Sequence, residues 1–431
     1  GQGADSEMEW LPSWATSIQG LEDKPDHQPP ITLEGNTLRQ FLWPTFSGEK
    51  VRIQLSNAKG EAPLEIAKVH LARAATGSDP GNSNGQIDAA SDVAFTFDGA
   101  TGVTIPPGQT AWSDPVDFPL RKIELTAISI QFGNRVPDEL STHPGSRTTS
   151  YFAEGDRVSQ PALPGAQTRD RWYLLNALEV MAPPEAFAIA VLGDSITDGY
   201  GVLNAFQRWP DFLTLAIEAD PELAGRVSVL NFGMGANKLT ISGPDQDSGL
   251  VRFERDVLPR DKIRYLVVLE GVNDIKFSGV QAKPIIDAYR HAESLDLSGC
   301  VLAPSVERMY SQMQQHAADA GFEESVHAML DQLCVSYHIP KKHDRVEPGL
   351  MVNWVNLPMR AFEGLPSDLR EFVYSSFVAH NKDVAPAVQP KIENTEAFVR
   401  KIVRNVEPRP WPWMTPRMDE AFRDLESGGG E

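Results

Sequence analysis

Three short polar turns carry the residue types from which an acyl-transfer centre can be built. Gly193-Asp-Ser195 follows the apolar run Phe187 to Leu192, and the pattern Trp209, Phe212, Leu213, Leu215, Ile217 after it reads as an amphipathic helix. A strand that ends in such a turn puts a hydroxyl at the carboxyl edge of a sheet, where open α/β folds build their sites. Ser195 is therefore the candidate nucleophile. The second turn, Gly233-Met-Gly-Ala-Asn237, closes the apolar run Val227 to Phe232 and offers backbone N–H groups to a developing oxyanion. The third, Glu270-Gly-Val-Asn-Asp274, closes Ile263 to Leu269, and Asn273 adds a side-chain NH₂. Preorganised donors of this kind are each worth ~3–4 kcal/mol in a transition state.

The elements that must position these turns follow from the same runs. Three apolar strands separated by helical segments, the second helix around Leu250 to Val257, imply a parallel sheet with its loops on one edge. Upstream, Trp10 to about Met181 reads differently. Thr37 to Trp43 and Val51 to Leu55 alternate apolar and polar, and Ile66 to Leu71, Val93 to Phe97, Gly102 to Ile105 and Ile123 to Phe132 are further short strands. Turn residues separate them, as in Asp79-Pro-Gly81 and Pro106-Pro-Gly108. That pattern predicts an antiparallel sandwich. Pro183-Pro-Glu185 is the junction, so the expected organisation is a sandwich over 8–183, an α/β domain over 184–345 and an extension over 346–431 that completes the second domain or stands apart. Trp43, Phe46, Trp112, Tyr151, Trp172 and Tyr173 belong to the sandwich core or to a carbohydrate platform, the core being the favoured reading.

A chain of 431 residues exceeds one ordinary core. A net charge of −20 argues against nucleic acid or an anionic membrane as partner, since both need clustered Lys and Arg. No apolar run reaches the ~20 residues that span a bilayer. Residues 1–9 carry no charged-then-apolar leader, so the expectation is a mature secreted or periplasmic form, with a cytoplasmic one as the alternative. Cys300 and Cys334 give no metal cluster; they are either one bridge or two buried thiols. Pro-rich stretches at 384–390 and 407–416 read as extended arms.

Gly193-Asp-Ser-Ile-Thr-Asp198, Gly233-Met-Gly-Ala-Asn237 and Gly271-Val-Asn-Asp274, in this order and with residues 195, 235 and 273 at intervals of 40 and 38, resemble the first three blocks of the SGNH (GDSL) hydrolase family. Flanking phrases resemble its two-domain bacterial-type esterases: Thr37-Leu-Arg-Gln40, His143-Pro-Gly-Ser-Arg147, Arg208-Trp-Pro-Asp211 and Arg252-Phe-Glu-Arg-Asp256 among them. The resemblance covers residues 10 to 290. It implies a flavodoxin-like three-layer α/β/α domain behind an antiparallel β-sandwich, and a serine esterase acting on short acyl or acetyl esters of a small molecule or polysaccharide. Ser195 would form the acyl-enzyme, and Ser195, Gly235 or Ala236, and Asn273 would form the oxyanion hole. A histidine would be the base, and neither metal nor cofactor is needed.

Two positions depart from the pattern. The family's oxyanion glycine aligns with Ala236, which keeps its donor geometry only where the backbone angle tolerates a Cβ. The family's closing Asp-x-x-His is missing. Glu324-Ser-Val-His327 lies in a helical pattern, as do His291 and His316. The loop-like candidates are His380, followed by a helical stretch at 394–404, and His343, with Asp383 and Asp344 as acid partners by proximity. The missing motif leaves two alternatives to hydrolysis: an impaired scaffold that binds a carbohydrate or other ligand, and an acyltransferase.

Overall fold

The computed structural model describes residues 7–75, 84–202 and 206–280 continuously, with 283–285, 287, 288 and 291 beyond them. One compact unit comprises 1–274 with 287–304, and a second comprises 275–286 with 305–431.

The β-rich part of the first unit forms two main antiparallel sheets. In one, Gly48–Ser56 lies between Leu175–Ala182 and the short strand Thr110–Trp112, and Glu9–Ala15 pairs with the far side of Leu175–Ala182. In the other, Thr126–Phe132 runs between Thr37–Leu42 and Leu64–Arg73, with Ser150–Ala153 and Gln167–Arg169 continuing beyond Thr37–Leu42. The period-two pattern of Gly48–Ser56 does what alternation predicts, burying Val51, Ile53 and Leu55 completely. Thr37–Leu42 departs from it, with all six residues buried. The reason lies in its polar positions. Arg39 donates to Ser129 Oγ at 2.8 Å, Gly85 O at 2.7 Å and Val158 O at 3.1 Å. Gln40 exchanges hydrogen bonds with the Tyr173 backbone at 2.9 and 2.6 Å. Buried polar groups are tolerated when so satisfied, and a strand pattern does not reveal it. Phe46, Tyr151, Trp172 and Tyr173 are core residues, as favoured, whereas Trp43 and Trp112 are half-buried.

A three-stranded parallel sheet follows, with Phe187–Gly193 between Val227–Gly233 and Ile263–Leu269. Val191, Ile217, Val227 and Val229 form the core that seats the helix Trp209–Ala219 on this sheet. The register is what matters for the site: Gly193 is level with Gly233 on one side and with Leu269 on the other. All three strands therefore deliver their turns to one edge. The sandwich side closes against this sheet through Thr45, whose hydroxyl donates to Val229 O at 3.0 Å and accepts from Val229 N at 3.1 Å, satisfying the outer strand.

The turn after Phe187–Gly193 leads into the short helix Ser195–Asp198, capped by the Asp194 side chain on Ile196 N. Gly233 makes room for it: a Cβ there would lie 2.4 Å from Asp198 N. Gly233→Ala is expected to cost about 3 kcal/mol of unfolding free energy, because backbone rather than a flexible side chain must yield. Denaturant unfolding of the variant checks this, and a change below 0.5 kcal/mol would contradict the close packing.

Candidate active site

The register brings Ser195, Gly235 and Asn273 to the same sheet edge, and hydrogen bonds then lock the three turns together. Met234 N donates to Gly193 O at 2.9 Å, tying the second turn to the first. Asn273 Nδ2 donates to Asn237 O at 2.8 Å, tying the third to the second. Asp274 accepts from Leu239 N at 2.7 Å, Thr240 N at 2.8 Å and Thr240 Oγ1 at 2.6 Å, which fixes the chain leaving the second turn.

At the centre lies Arg252, fully buried. Its Nη1 donates to Ser17 Oγ at 2.6 Å and Phe232 O at 2.7 Å. Its Nη2 lies 3.0 Å from Gly193 O, 2.9 Å from Asn237 Oδ1 and 3.0 Å from Glu270 Oε1. One planar group thus touches all three strand ends and the β-rich part.

A second anchor comes from the sandwich. Asp198 sits buried against His143 Nε2 at 2.7 Å, while His143 Nδ1 lies 2.8 Å from Ser17 O. Arg147 adds a contact at 3.5 Å to the Asp198 carboxylate and donates from Nε to Asp198 O at 3.1 Å. Burial by itself would raise the Asp198 pKa, but the facing His143, Arg147 and Arg208 hold it below the usual carboxylate range. Both ring nitrogens of His143 are thus engaged, Nε2 by the Asp198 carboxylate and Nδ1 by the Ser17 carbonyl. Neither nitrogen of His143 is left for a serine hydroxyl. Gly145 permits the approach, since a Cβ there would meet Asp198 Oδ2 at 2.0 Å.

Ser195 is half-buried, and no described residue hydrogen-bonds its hydroxyl. Ala236 has φ +60°. It occupies the third position of the turn Met234–Asn237, closed by Asn237 N on Met234 O at 3.2 Å, where glycine is the usual residue. The backbone therefore holds the shape a glycine would adopt and bears the strain of a Cβ. The candidate bases and acids His380, His343, Asp383 and Asp344 lie outside the described residues, as do Cys300, Cys334 and the Pro-rich stretches. The described His291 is 3.5 Å from Glu254 and half exposed.

In the sequence Arg252, His143 and Arg147 stand only inside flanking phrases, and no local motif marks their role. An arginine within an otherwise amphipathic helical stretch, midway between two turns, was the available signal.

Two further carboxyls crowd Arg252. Burial pushes Asp194 up to about 7, with Asp274 and Asp198 adding like-charge repulsion and Arg252 and the Ile196 N–H opposing. Burial likewise raises Glu270 well above its ordinary value, against the pull of Arg252. Asp194 Oδ2 has no donor among the described residues.

Residues 191–340 match the GDSL-like Lipase/Acylhydrolase family. The chain thus carries a hydrolase domain of the SGNH (GDSL) family, and its class is that of the carboxylic ester hydrolases. No match was found among curated proteins. Similar solved structures include a putative arylesterase from Agrobacterium tumefaciens str. C58, 21% identical over 31% of this chain and 80% of that one, with a TM-score of 0.24. A carbohydrate acetylesterase family member from Sinorhizobium meliloti is 18% identical over 34% and 79%, with a TM-score of 0.24. A family two carbohydrate esterase from Cellvibrio japonicus is 12% identical over 73% and 86%, also at 0.24. Likeness at that level defines neither fold nor substrate.

Two outcomes follow from the site. A carboxyl with a raised folded pKa binds more protons in the native state, so its stabilising contribution is full below its unfolded pKa of 3.8 and is lost as pH rises through about 7. Asp194→Asn should therefore gain melting temperature relative to the parent as pH rises across that window; a constant offset would sink the assignment. Ala236→Gly should add about 0.5–1 kcal/mol, the relief of a left-handed alanine exceeding the added chain entropy. Denaturant midpoints would show a loss instead if the turn were unstrained.

Proposed function

We propose that the protein is a serine esterase that cleaves short acyl or acetyl esters through an acyl-enzyme on Ser195, on a flavodoxin-like α/β/α domain preceded by the sandwich. One observation supports this reading: three turns in register at one sheet edge carry a half-buried serine and donors that no described residue has taken. The N–H of Ser195 opens a helix and has no intrahelical partner, and the Gly235 and Ala236 N–H groups are free of described acceptors. Asn273 Nδ2 spends one hydrogen on Asn237 O and keeps the other.

The chemistry then runs as follows. Ser195 Oγ attacks the ester carbonyl carbon while a histidine, His380 in first place and His343 in second, takes its proton. The carbonyl oxygen becomes an oxyanion held by the Ser195 N–H, the N–H of Gly235 or Ala236, and Asn273 Nδ2. The C–O bond to the alcohol breaks, the histidine returns the proton to the departing alkoxide, and the acyl group remains on Ser195. Water, deprotonated by the same histidine, attacks the acyl carbon, and the serine leaves with the proton. Asp383 or Asp344 would orient the base. No step calls on a metal or cofactor.

Fluorophosphonate labelling followed by peptide mass spectrometry tests the nucleophile, since the probe reacts with a serine activated by a working base. The label should fall on Ser195 and vanish in whichever of His380→Ala or His343→Ala removes the base. Ser195→Ala should abolish hydrolysis of p-nitrophenyl acetate, and Asn273→Ala should lower kcat by about 10²–10³-fold. Full activity in Ser195→Ala would overturn the mechanism.

A further inference from the structure

The strand Gly48–Ser56 gives Val51, Ile53 and Leu55 to the core and presents Arg52, Gln54 and Ser56 on its other face. The register sets Glu179 opposite Arg52, Trp112 opposite Gln54 and Thr110 opposite Ser56. An outer sandwich face of this composition would ordinarily be solvated. Here the stretch 255–261 lies over it, and the two enclose a cavity of about 300 Å³. That is at the lower end of ligand pockets, about 300–1,000 Å³. Ser195, Gly235, Ala236 and Asn273 are not in its wall.

The lining charges cancel. Arg52, Arg255 and Arg260 face Glu179, Asp256 and Asp261. Arg52 bonds Glu179 at 2.9 and 2.5 Å, and Arg255 bonds Asp256 at 2.7 Å. Arg260 donates to Gln54 Oε1 at 2.6 Å and to Asp256 O at 3.1 Å. No surplus charge is left for an ionic ligand.

One polar group behind the wall is buried without a partner among the described residues. Asn176 is the extra residue of a bulge, for Leu175 pairs with Leu55 and Ala177 with Gln54. It is 6% exposed, its Nδ2 donates to Gln54 Oε1 at 2.8 Å, and its Oδ1 accepts from no described residue. Beside it the Trp112 indole is held in place by the Arg52 guanidinium, which lies 4.4 Å from the centres of both the Trp10 and Trp112 rings.

From these features we infer that the cavity is a binding site for a neutral saccharide, separate from the Ser195 centre. Each requirement of such a ligand has a counterpart. Its hydroxyls meet the Thr110 hydroxyl, its C–H surface lies on the indole of Trp112, and its neutrality suits a wall whose charges balance. Thr110 and Asp261 are solvent-exposed and mark the mouth.

Isothermal titration of the full chain with unacetylated xylohexaose, mannohexaose and cellohexaose tests the inference without any turnover. At least one should bind with one-to-one stoichiometry and millimolar affinity or better. Trp112→Ala and Thr110→Val should each raise that Kd about tenfold or more. Both variants should hydrolyse p-nitrophenyl acetate at the parental rate. Thr110→Val, a near-isosteric change at an exposed edge position, keeps the test valid should Trp112→Ala loosen the stacked Arg52. Absence of binding by all three hexasaccharides, or a Kd unmoved in both variants, overturns the site whatever the outcome at Ser195.

Discussion

Burying one guanidinium is the constraint on which the rest of the site depends. Arg252 has no exposed surface, so it must find acceptors inside the protein, and it takes them from Ser17, Gly193, Phe232, Asn237 and Glu270. A planar fork with fixed donor directions imposes one mutual geometry on the groups that meet it. Replacing it with an apolar side chain of similar volume need not weaken the fold, because the desolvation of a buried ion pair offsets most of its attraction. What such a replacement would lose is the relative placement of three turns, and placement is what the proposed oxyanion hole requires. Glu270, which closes the third strand, is then better understood as an acceptor that helps hold Arg252 there than as a reacting group.

The sandwich is part of this arrangement rather than an appendage to it. Ser17 accepts from Arg252 through its hydroxyl and from His143 through its carbonyl, so one residue of the β-rich part touches both anchors. His143 and Arg147 then hold Asp198, the last residue of the helix that begins at Ser195. The orientation of the helix Ser195–Asp198 is thus set from one side by the parallel sheet and from the other by the sandwich. Cutting the chain near Pro183 would expose a buried carboxylate and take Ser17 from Arg252, which is consistent with residues 1–274 packing as one unit despite the change of sequence pattern at the junction.

What was legible in the sequence was local. An apolar run that stops at a glycine turn reads as a strand delivering a loop, and the three parallel strands and their turns lie where that pattern puts them. The strand Thr37–Leu42 alternates in sequence yet is buried throughout for a non-local reason: Arg39 and Gln40 find partners about 90 and 130 residues away, and nothing in the strand's own pattern announces them. Arg252 and His143 were hidden in the same way, since their partners come from opposite ends of the unit. Ala236 shows the intermediate case. The substitution was visible in the sequence, but whether it mattered turned on a backbone angle fixed by the Met234–Asn237 turn.

The carboxyls around Arg252 bear on chemistry as well as on packing. Asp194 and Glu270 lie in the field of one guanidinium, with Asp274 repelling both, so full ionisation would leave net negative charge in a desolvated interior, where Coulomb interactions are strong. Burial opposes this by raising the pKa of Asp194 to about 7 and that of Glu270 well above its ordinary value. Asp194 directly precedes the proposed nucleophile, and its Oδ1 already takes the Ile196 N–H. An ionised Asp194 would oppose an oxyanion forming at the neighbouring Ser195 N–H, whereas a neutral one leaves the field of the donors undiminished. The same desolvation that makes this carboxyl costly as an anion therefore keeps the centre receptive to negative charge from the substrate instead of from the protein.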